Sequence, residues 1–405
     1  MRILIDIRHL ANPHLSGVGQ YTTELLRALF EIDRENEYVL FSSGTKTPPN
    51  LPFVRGGELV SFPPYQGGIE GGLIDHVHLS TPNKLLNLRT FFFRHPTINC
   101  HLREPRPTGS SGRAIDLIFL PNLNITTLPK DIPTVLTVHD LSWKLYPEFY
   151  SLKMRAWHKA TRAHELIEQS RAIITPSLST AQDVNRLFGV SQERTHVVAH
   201  GVSPVFSQKM QAQDHGVRSR LKLPKHFALF VGTIEPRKNL IALVEGVKDY
   251  RERTHDDLHL VLAGGWGWKS HDLRRRLWKR DTQGWVHQIG YLEAHDLPAL
   301  YRSAAVTVWP SIYEGFGLPI LESMASGTPV ITSHTSSLPE VAGDAAIYVD
   351  PYNSTDIAEA LRGLLGSSTL QSQLVTKGLE HSKTFTWQKA ARKTLDIFKS
   401  LACSS

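Results

Sequence analysis

Short β-branched runs alternate with amphipathic stretches along most of the chain, and they do so in two series. RILIDI (2–7), YVLFSS (38–43), AIDLIFL (114–120), TVLTVHD (134–140), RAIITPS (171–177) and HVVAHG (196–201) make up the first. FALFVGT (227–233), LHLVLAG (258–264), VHQIGYL (286–292), VTVWPS (306–311), TPVITS (328–333) and AAIYVD (345–350) make up the second. Near-continuous apolar runs mark strands buried on both faces, as in a parallel sheet covered by helices. Helical patterns fall between them, at 21–32 and 178–189 in the first series and at 238–253, 271–281, 295–304 and 319–326 in the second. The expected fold class is α/β, in two halves of similar size.

The rhythm breaks at 204–224, a polar stretch that opens and closes with proline, and we expect the interdomain linker there. The division that follows is an N-terminal domain over 1–205 and a C-terminal domain over 206–384. A final amphipathic helix within 385–405 is expected to pack back on the first half. Residues 63–112 fit neither series: PPYQGGIEGG reads as a loop. Between 84 and 113 there are six Lys/Arg against one Asp/Glu, beside KLLNLRTFFFRHP. That region reads either as a surface lying at a membrane interface or as an insertion wrapped on its own domain.

No run approaches the roughly 18 apolar residues of a membrane span, and charge interrupts MRILIDIRHL too early for a signal peptide. The two cysteines, Cys100 and Cys403, are far apart in sequence and read as free thiols of a reducing cytosol. The expected location is therefore cytoplasmic, with peripheral membrane contact as the extension. A net charge of +7 fits an anionic partner without choosing among sugar nucleotide, lipid surface and nucleic acid.

The stretch YEGFGLPILESMASGTPV (313–330) carries the densest chemistry. Pro319 suits the first position of a helix, where its missing N–H costs nothing. Gly315 and Gly317 let a ligand approach the backbone, and the free amides of the helix start favour a diphosphate or polar sugar. Glu314 can reach sugar hydroxyls at the helix mouth, and Glu322, about one turn inside, a vicinal diol such as ribose. EGFG alone would be an ordinary surface turn; the strand before it and Gly327 after it make the pattern specific. In VGTIEPRKNL (231–240), Arg237 and Lys238 stand past the carboxyl end of a strand, where cations suit a phosphate. In SGVGQYT (16–22), Gly17 and Gly19 can turn amides to phosphate, but the dinucleotide fingerprint needs a third glycine where Thr22 stands. His139 and Asp140 end another strand, where side chains emerge into an α/β crevice; a structural histidine is the competing reading. Trp266 and Trp268 in GGWGWKS either border a nucleotide base or simply pack.

Asp-x-Asp, Cys-x-x-Cys, His-Glu-x-x-His and Gly-x-Ser-x-Gly are all missing, so zinc hydrolases, metal-dependent sugar transferases and α/β-hydrolases find no support.

EGFGLPILESMASGTPV with GTIEPRKN and the SGVG segment resembles glycosyltransferase family 4, of GT-B fold. TVHDLSWKLYPEFY, ITPSLSTAQDV, VVAHGV and LPEVAGDAAIYVDP are similar to its bacterial mannosyltransferases of polysaccharide and O-antigen assembly. Only about 63–113 has no match. The resemblance implies two Rossmann-like domains with parallel sheets facing across a cleft, the second holding the sugar nucleotide. It implies that Arg237 and Lys238 hold the diphosphate, that Glu314 lies near the donor sugar and that Glu322 lies on the ribose. Gly17 and Gly19 would close over the phosphates, and Gly315, Phe316, Gly317 and Leu318 would line the donor. His139 would stand near donor sugar and acceptor; with Glu314, Arg237 and Lys238 it makes the expected catalytic set. The implied reaction retains anomeric configuration and uses neither metal nor cofactor. GDP-mannose is the favoured donor, and a glycan or lipid-linked glycan the acceptor. Glu314 acting as a nucleophile is the lesser mechanism. A UDP-sugar donor, a GT-B nucleotide-sugar epimerase and a non-catalytic binder remain alternatives; nucleic acid is not an expected partner.

Overall fold

The computed structural model describes residues 1–11, 16–44, 54–55, 58–59, 74–94, 97–99, 114–211 and 214–402. Cys100, Cys403, the 63–72 loop and most of 95–113 lie outside them.

Two parallel sheets form, one from each series of apolar runs. In the first, seven strands lie in the order Ile74–Leu79, Glu37–Ser43, Arg2–Asp6, Leu117–Leu120, Thr134–Thr137, Ala172–Thr175, Thr195–Val197. In the second, six lie in the order Val286–Gly290, His259–Ala263, Phe227–Val231, Val306–Trp309, Val330–Ser333, Ala346–Val349. Counted along the chain, both begin 3-2-1-4-5-6, the doubly wound order of a Rossmann fold. The central strands are wholly buried; Ile5 pairs with Leu40 on one side and Phe119 on the other, and Leu229 with Val261 and Thr307. In each sheet the connections reverse direction between strands 1 and 4, which opens a crevice at their carboxyl ends.

Helix starts follow local chemistry. Ser16 caps Gly17–Ile32, Ser177 caps Leu178–Phe188 and Ser367 caps Ser368–Ser382, each side chain accepting a first-turn amide. Leu178–Phe188 stops at Gly189, whose φ of 65° suits a glycine.

Three elements differ from expectation or escaped it. The 204–224 stretch contains a helix, Asp214–Arg220, pinned to the second half by a buried ion pair: Arg302 Nε and Nη2 donate to Asp214 at 2.7 and 2.8 Å. It buries one apolar side chain, Val217, beside that ion pair, too little for apolar periodicity to reveal it. The edge strand Ile74–Leu79 and the helix Asn83–Phe93 occupy part of the 63–112 region that fitted neither series.

The chain crosses back at its end. Gly201 lies against the backbone of Thr386 and Trp387, so close that a Cβ would meet Trp387 N at 2.2 Å. Helix Trp387–Ala402 then packs along Gly17–Ile32, with Phe398 5.2 Å from Phe119 between ring centroids. Among the described residues, no helix is long and apolar enough to cross a membrane.

Candidate active site

A cavity of about 580 Å³ lies between the halves, bounded by Gly17, Gln20 and His139 of the first and Lys238, Glu314 and Glu322 of the second. Its floor is the switch point of the second sheet. The loop after Phe227–Val231 brings up Glu235, Arg237 and Lys238, and the loop after Val306–Trp309 brings up Glu314.

These four side chains form one buried charge cluster. Lys238 Nζ donates to Glu314 Oε1 at 2.5 Å, and Arg237 Nη1 to Oε2 at 2.7 Å. Arg237 Nη2 and Nε also donate to Glu235 Oε1, at 2.8 and 3.1 Å, and its Nη1 to the Tyr313 carbonyl. The Lys238 ammonium lies 4.7 Å from the Trp309 ring centroid, and Trp309 Nε1 donates to Glu314 Oε1. Burial pushes the Glu314 carboxyl up, but the Arg237 and Lys238 cations overcome it and hold the group at about 2. Burial prevails at Glu235, whose pKa rises despite Arg237, and at Lys238, whose pKa falls under burial and Arg237 together. Burial also lowers Arg237, but Glu314 and Glu235 outweigh it and raise the guanidinium well above its ordinary value. With two cations and two carboxylates, the fully ionised cluster is neutral.

Glu322 sits in helix Leu318–Ala325, which begins after Gly317 at φ 119°, so Pro319 takes the second helical position rather than the first. Tyr301 OH donates to Glu322 Oε2 at 2.9 Å, and Gln20 Nε2 reaches Oε1 at 3.0 Å from the other half. Burial raises its pKa. Both glutamates are buried, which removes the solvated-surface reading.

Gly17 and Gly19 lie in the first turn of helix Gly17–Ile32 and not in a loop. Gly19 N donates to Ser16 Oγ, so Gly17 and Val18 supply the amides at this end of the helix, and both line the cavity. His139 Nε2 lies 2.8 Å from the Pro121 carbonyl oxygen, which only accepts, so that nitrogen carries the proton and Nδ1 the lone pair. Burial lowers the pKa of this ring, and Tyr21 packs edge-on against it at 4.6 Å.

Gly315 lines the cavity and has a second neighbour that the sequence did not suggest. A Cβ there would meet the His139 carbonyl oxygen at 1.9 Å, so this glycine serves the approach of one half to the other. Its own carbonyl accepts from Ser177 Oγ at 2.7 Å and from Thr180 Oγ1 at 3.2 Å. Phe316 wedges between His200 and Phe385, and Leu318 opens the helix at the cavity wall. Tyr313 OH donates to Asp183 across the same seam, and the Glu340 carboxylate accepts from Leu178 N at 2.8 and 2.9 Å. On the opposite side Trp268 Nε1 donates to the Phe149 carbonyl at 2.8 Å, and its indole stacks on Tyr150. Trp266 lies under Arg274.

Sequence reasoning missed Glu235, Gln20, Trp309 and Tyr301. Glu235 had a signal: two cations side by side at a buried strand end call for two carboxylates. Gln20 and Tyr301 had none, because their partner Glu322 is distant in sequence.

Residues 15–206 match the model of the family described as Glycosyltransferase Family 4, and residues 213–381 that of Glycosyl transferases group 1. O-antigen chain mannosyltransferase B of Escherichia coli is 32% identical over 407 residues, covering 99% of this chain and 100% of that protein. The MMP alpha-(1->4)-mannosyltransferase of Mycolicibacterium hassiacum is 28% identical, over 98% of each chain. Among solved structures, sucrose-phosphate synthase from Thermosynechococcus elongatus superposes with a TM-score of 0.69 at 19% identity, over 100% of both chains. An end-to-end relative of this identity, two family models on the two halves and a doubled Rossmann architecture agree: the chain is a glycosyltransferase of GT-B fold and belongs to glycosyltransferase family 4.

Proposed function

We propose that this enzyme transfers mannose from GDP-mannose to a glycan or lipid-linked glycan, with retention of anomeric configuration and without a metal or cofactor. The observation that carries the reading is the convergence of Arg237 and Lys238 on Glu314 at the switch point, opposite Glu322 and the start of helix Gly17–Ile32. The mannose assignment takes its support from relatives named as mannosyltransferases over nearly the whole chain.

A neutral cluster does not attract a diphosphate by net charge. Two helix N-termini, of Leu318–Ala325 and Gly17–Ile32, bound the cavity, and each supplies roughly half a positive charge. Lys238 has three donors and spends one on Glu314 in this arrangement, so it can hold a phosphate oxygen as well. In this reading the amides of Gly17 and Val18 close over the phosphates, Gly315 to Leu318 line the donor, and Glu322 grips the ribose. Glu314, held ionised, faces the sugar near the carbon under attack. As the C1–O bond to the diphosphate breaks, charge grows on the leaving oxygen, and Arg237 and Lys238 stabilise it. The acceptor oxygen bonds to C1 from the same face, and its proton passes to the departing phosphate. His139 stays neutral and packs against the reaction side as a hydrogen-bonding wall.

The acceptor's lipid would bring the enzyme to the cytoplasmic face of a membrane. Helix Asn83–Phe93 presents Leu85, Leu88, Phe92 and Phe93, the last 76% exposed, beside Lys84, Arg89 and Arg94. Exposed apolar rings among cations suit an anionic lipid surface.

Thermal shift with a panel of nucleotides and sugar nucleotides in EDTA tests the reading. A ligand at 100 times its Kd stabilises by about 2.7 kcal/mol. Stabilisation by GDP and GDP-mannose supports it; stabilisation by UDP-sugars alone changes the donor; dependence on added metal overturns the metal-free reading.

A further inference from the structure

The first half contributes an aromatic recess to the cavity that the donor assignments leave unused. Trp143 stacks face to face on His158, with centroids 5.1 Å apart and planes 5° from parallel. Tyr150 meets His158 edge-on at 5.5 Å, as does Trp157 at 5.0 Å. All four line the cavity, and Trp157 remains 42% exposed. Two nitrogens in this wall, Trp143 Nε1 and His158 Nδ1, are buried without a hydrogen-bond partner. Such buried groups call for a partner, an ordered water among the candidates.

Asp140 stands where the recess meets the donor cluster. Ser142 N and Oγ both donate to its Oδ1, at 3.0 and 2.5 Å. Among the described residues nothing donates to Oδ2, and Asp140 lines the same cavity. Its Cβ lies 2.9 Å from where a Cβ on Gly315 would be, one residue from Glu314. The site thus combines an exposed indole, a wall of rings and a fixed carboxylate with one oxygen to spare.

We infer that Trp143, Tyr150, Trp157 and His158 form a subsite for the terminal sugar of the acceptor, with Asp140 accepting a hydrogen bond from a hydroxyl of that sugar next to the one that attacks. This rests on the transferase reading for its chemistry. A pyranose offers a face of C–H bonds, which are slightly positive and match the negative face of an indole, and a rim of hydroxyls, which match a carboxylate. No nucleotide recognition is needed: the first half builds the recess and the second half the Arg237–Lys238 cluster, both lining one cavity. Asp140 abuts Gly315, the neighbour of Glu314, so a hydroxyl on Oδ2 would lie on the side of the cavity where Glu314 stands.

The test is saturation-transfer NMR on the full chain with methyl α-D-mannopyranoside and an α-linked mannobiose, with methyl α-D-glucopyranoside as control. Wild type should bind mannobiose saturably, and Trp157→Ala and Asp140→Asn should each weaken it at least tenfold. Asparagine keeps an oxygen for Ser142, so Asp140→Asn tests the free oxygen and not the turn. Both variants should keep the wild-type thermal shift with donor nucleotide. If steady-state transfer is measurable, acceptor KM should rise while donor KM holds. Equal mannobiose binding in all three proteins, or no saccharide binding by wild type, overturns the subsite and leaves the donor reading intact. Saccharide binding that maps to Trp157 with no nucleotide shift overturns the transferase reading and leaves the subsite standing.

Discussion

Gly315 lies directly beneath the carbonyl oxygen of His139, with room for a hydrogen atom and nothing larger: a Cβ would come within 1.9 Å of that oxygen. The obstacle is backbone, so it cannot rotate aside. Gly315→Ala should therefore force the halves apart while leaving each sheet folded. Small-angle scattering should show a larger radius of gyration with unchanged circular dichroism. Turnover should fall at least tenfold, because Gln20 can no longer reach Glu322. A variant as compact and active as wild type would show that the seam is not needed.

Lys238→Ala removes a buried cation that, in the proposed reading, faces the diphosphate. Loss of one preorganised charge at a leaving group costs about 10²–10³ in kcat. The expected result is a loss of that order in kcat/KM in a folded protein. Glu322→Ala should also lose most turnover, and Glu322→Gln should act mainly on donor KM, since Gln20 and Tyr301 fix the side chain from either side. Near-wild-type turnover in both Lys238→Ala and Glu322→Ala would refute the proposed site.

The Glu314 carboxyl titrates at about 2 in the fold, against an ordinary 4.5. A lowered folded pKa contributes stability that is complete above the unfolded value and disappears as pH falls through the folded one. Glu314→Gln should therefore cost most near neutral pH. The gap from wild type in urea midpoint should narrow from about pH 4.5 downward. A gap that stays constant across that window would mean the ion pairs with Arg237 and Lys238 do not set the Glu314 charge.

Glu340 caps a helix of the opposite half, since its carboxylate accepts the amides of Leu178 and Ser179. Losing such a cap costs about 1 kcal/mol. Glu340→Ala should lower the melting temperature by a few degrees (about 2–4 °C per kcal/mol at domain sizes of 150–250 residues). It should also raise proteolytic nicking at the start of Leu178–Phe188. Identical melting and nicking would show that the cap contributes nothing to the stability of the seam between the halves.

Replacing Leu88, Phe92 and Phe93 by serine should abolish co-sedimentation with vesicles containing anionic lipid, without affecting nucleotide binding. Equal sedimentation of the triple variant would move the membrane surface elsewhere.

The sheets were legible because buried parallel strands write themselves as apolar runs, LIFL and VTVW among them. The charged site was legible for a related reason: Arg237, Lys238 and Glu314 stand at strand ends, where only a buried cluster or a ligand accounts for them. What stayed hidden depends on pairing across the cleft. Gly315 reads as room for a ligand until His139 is seen above it, and Glu340 reads as a surface acid until Leu178 is seen beside it. Helix Asp214–Arg220 looked like a linker because its anchor to Arg302 is ionic. The strand Ile74–Leu79, IDHVHL, mixes polar and apolar residues at a sheet edge and lacks the signature of its buried neighbours.

Phe398, in the last helix, packs on Phe119 of the first sheet. During synthesis the strands of that sheet leave the ribosome long before Phe398 is made, and the whole second half is translated in between. The opening half thus spends that interval with the flank of Gly17–Ile32 uncovered, a sticky surface on a growing chain. Its completion waits for Trp387–Ala402, so a chain halted after the second sheet has both sheets built and the flank of Gly17–Ile32 still bare.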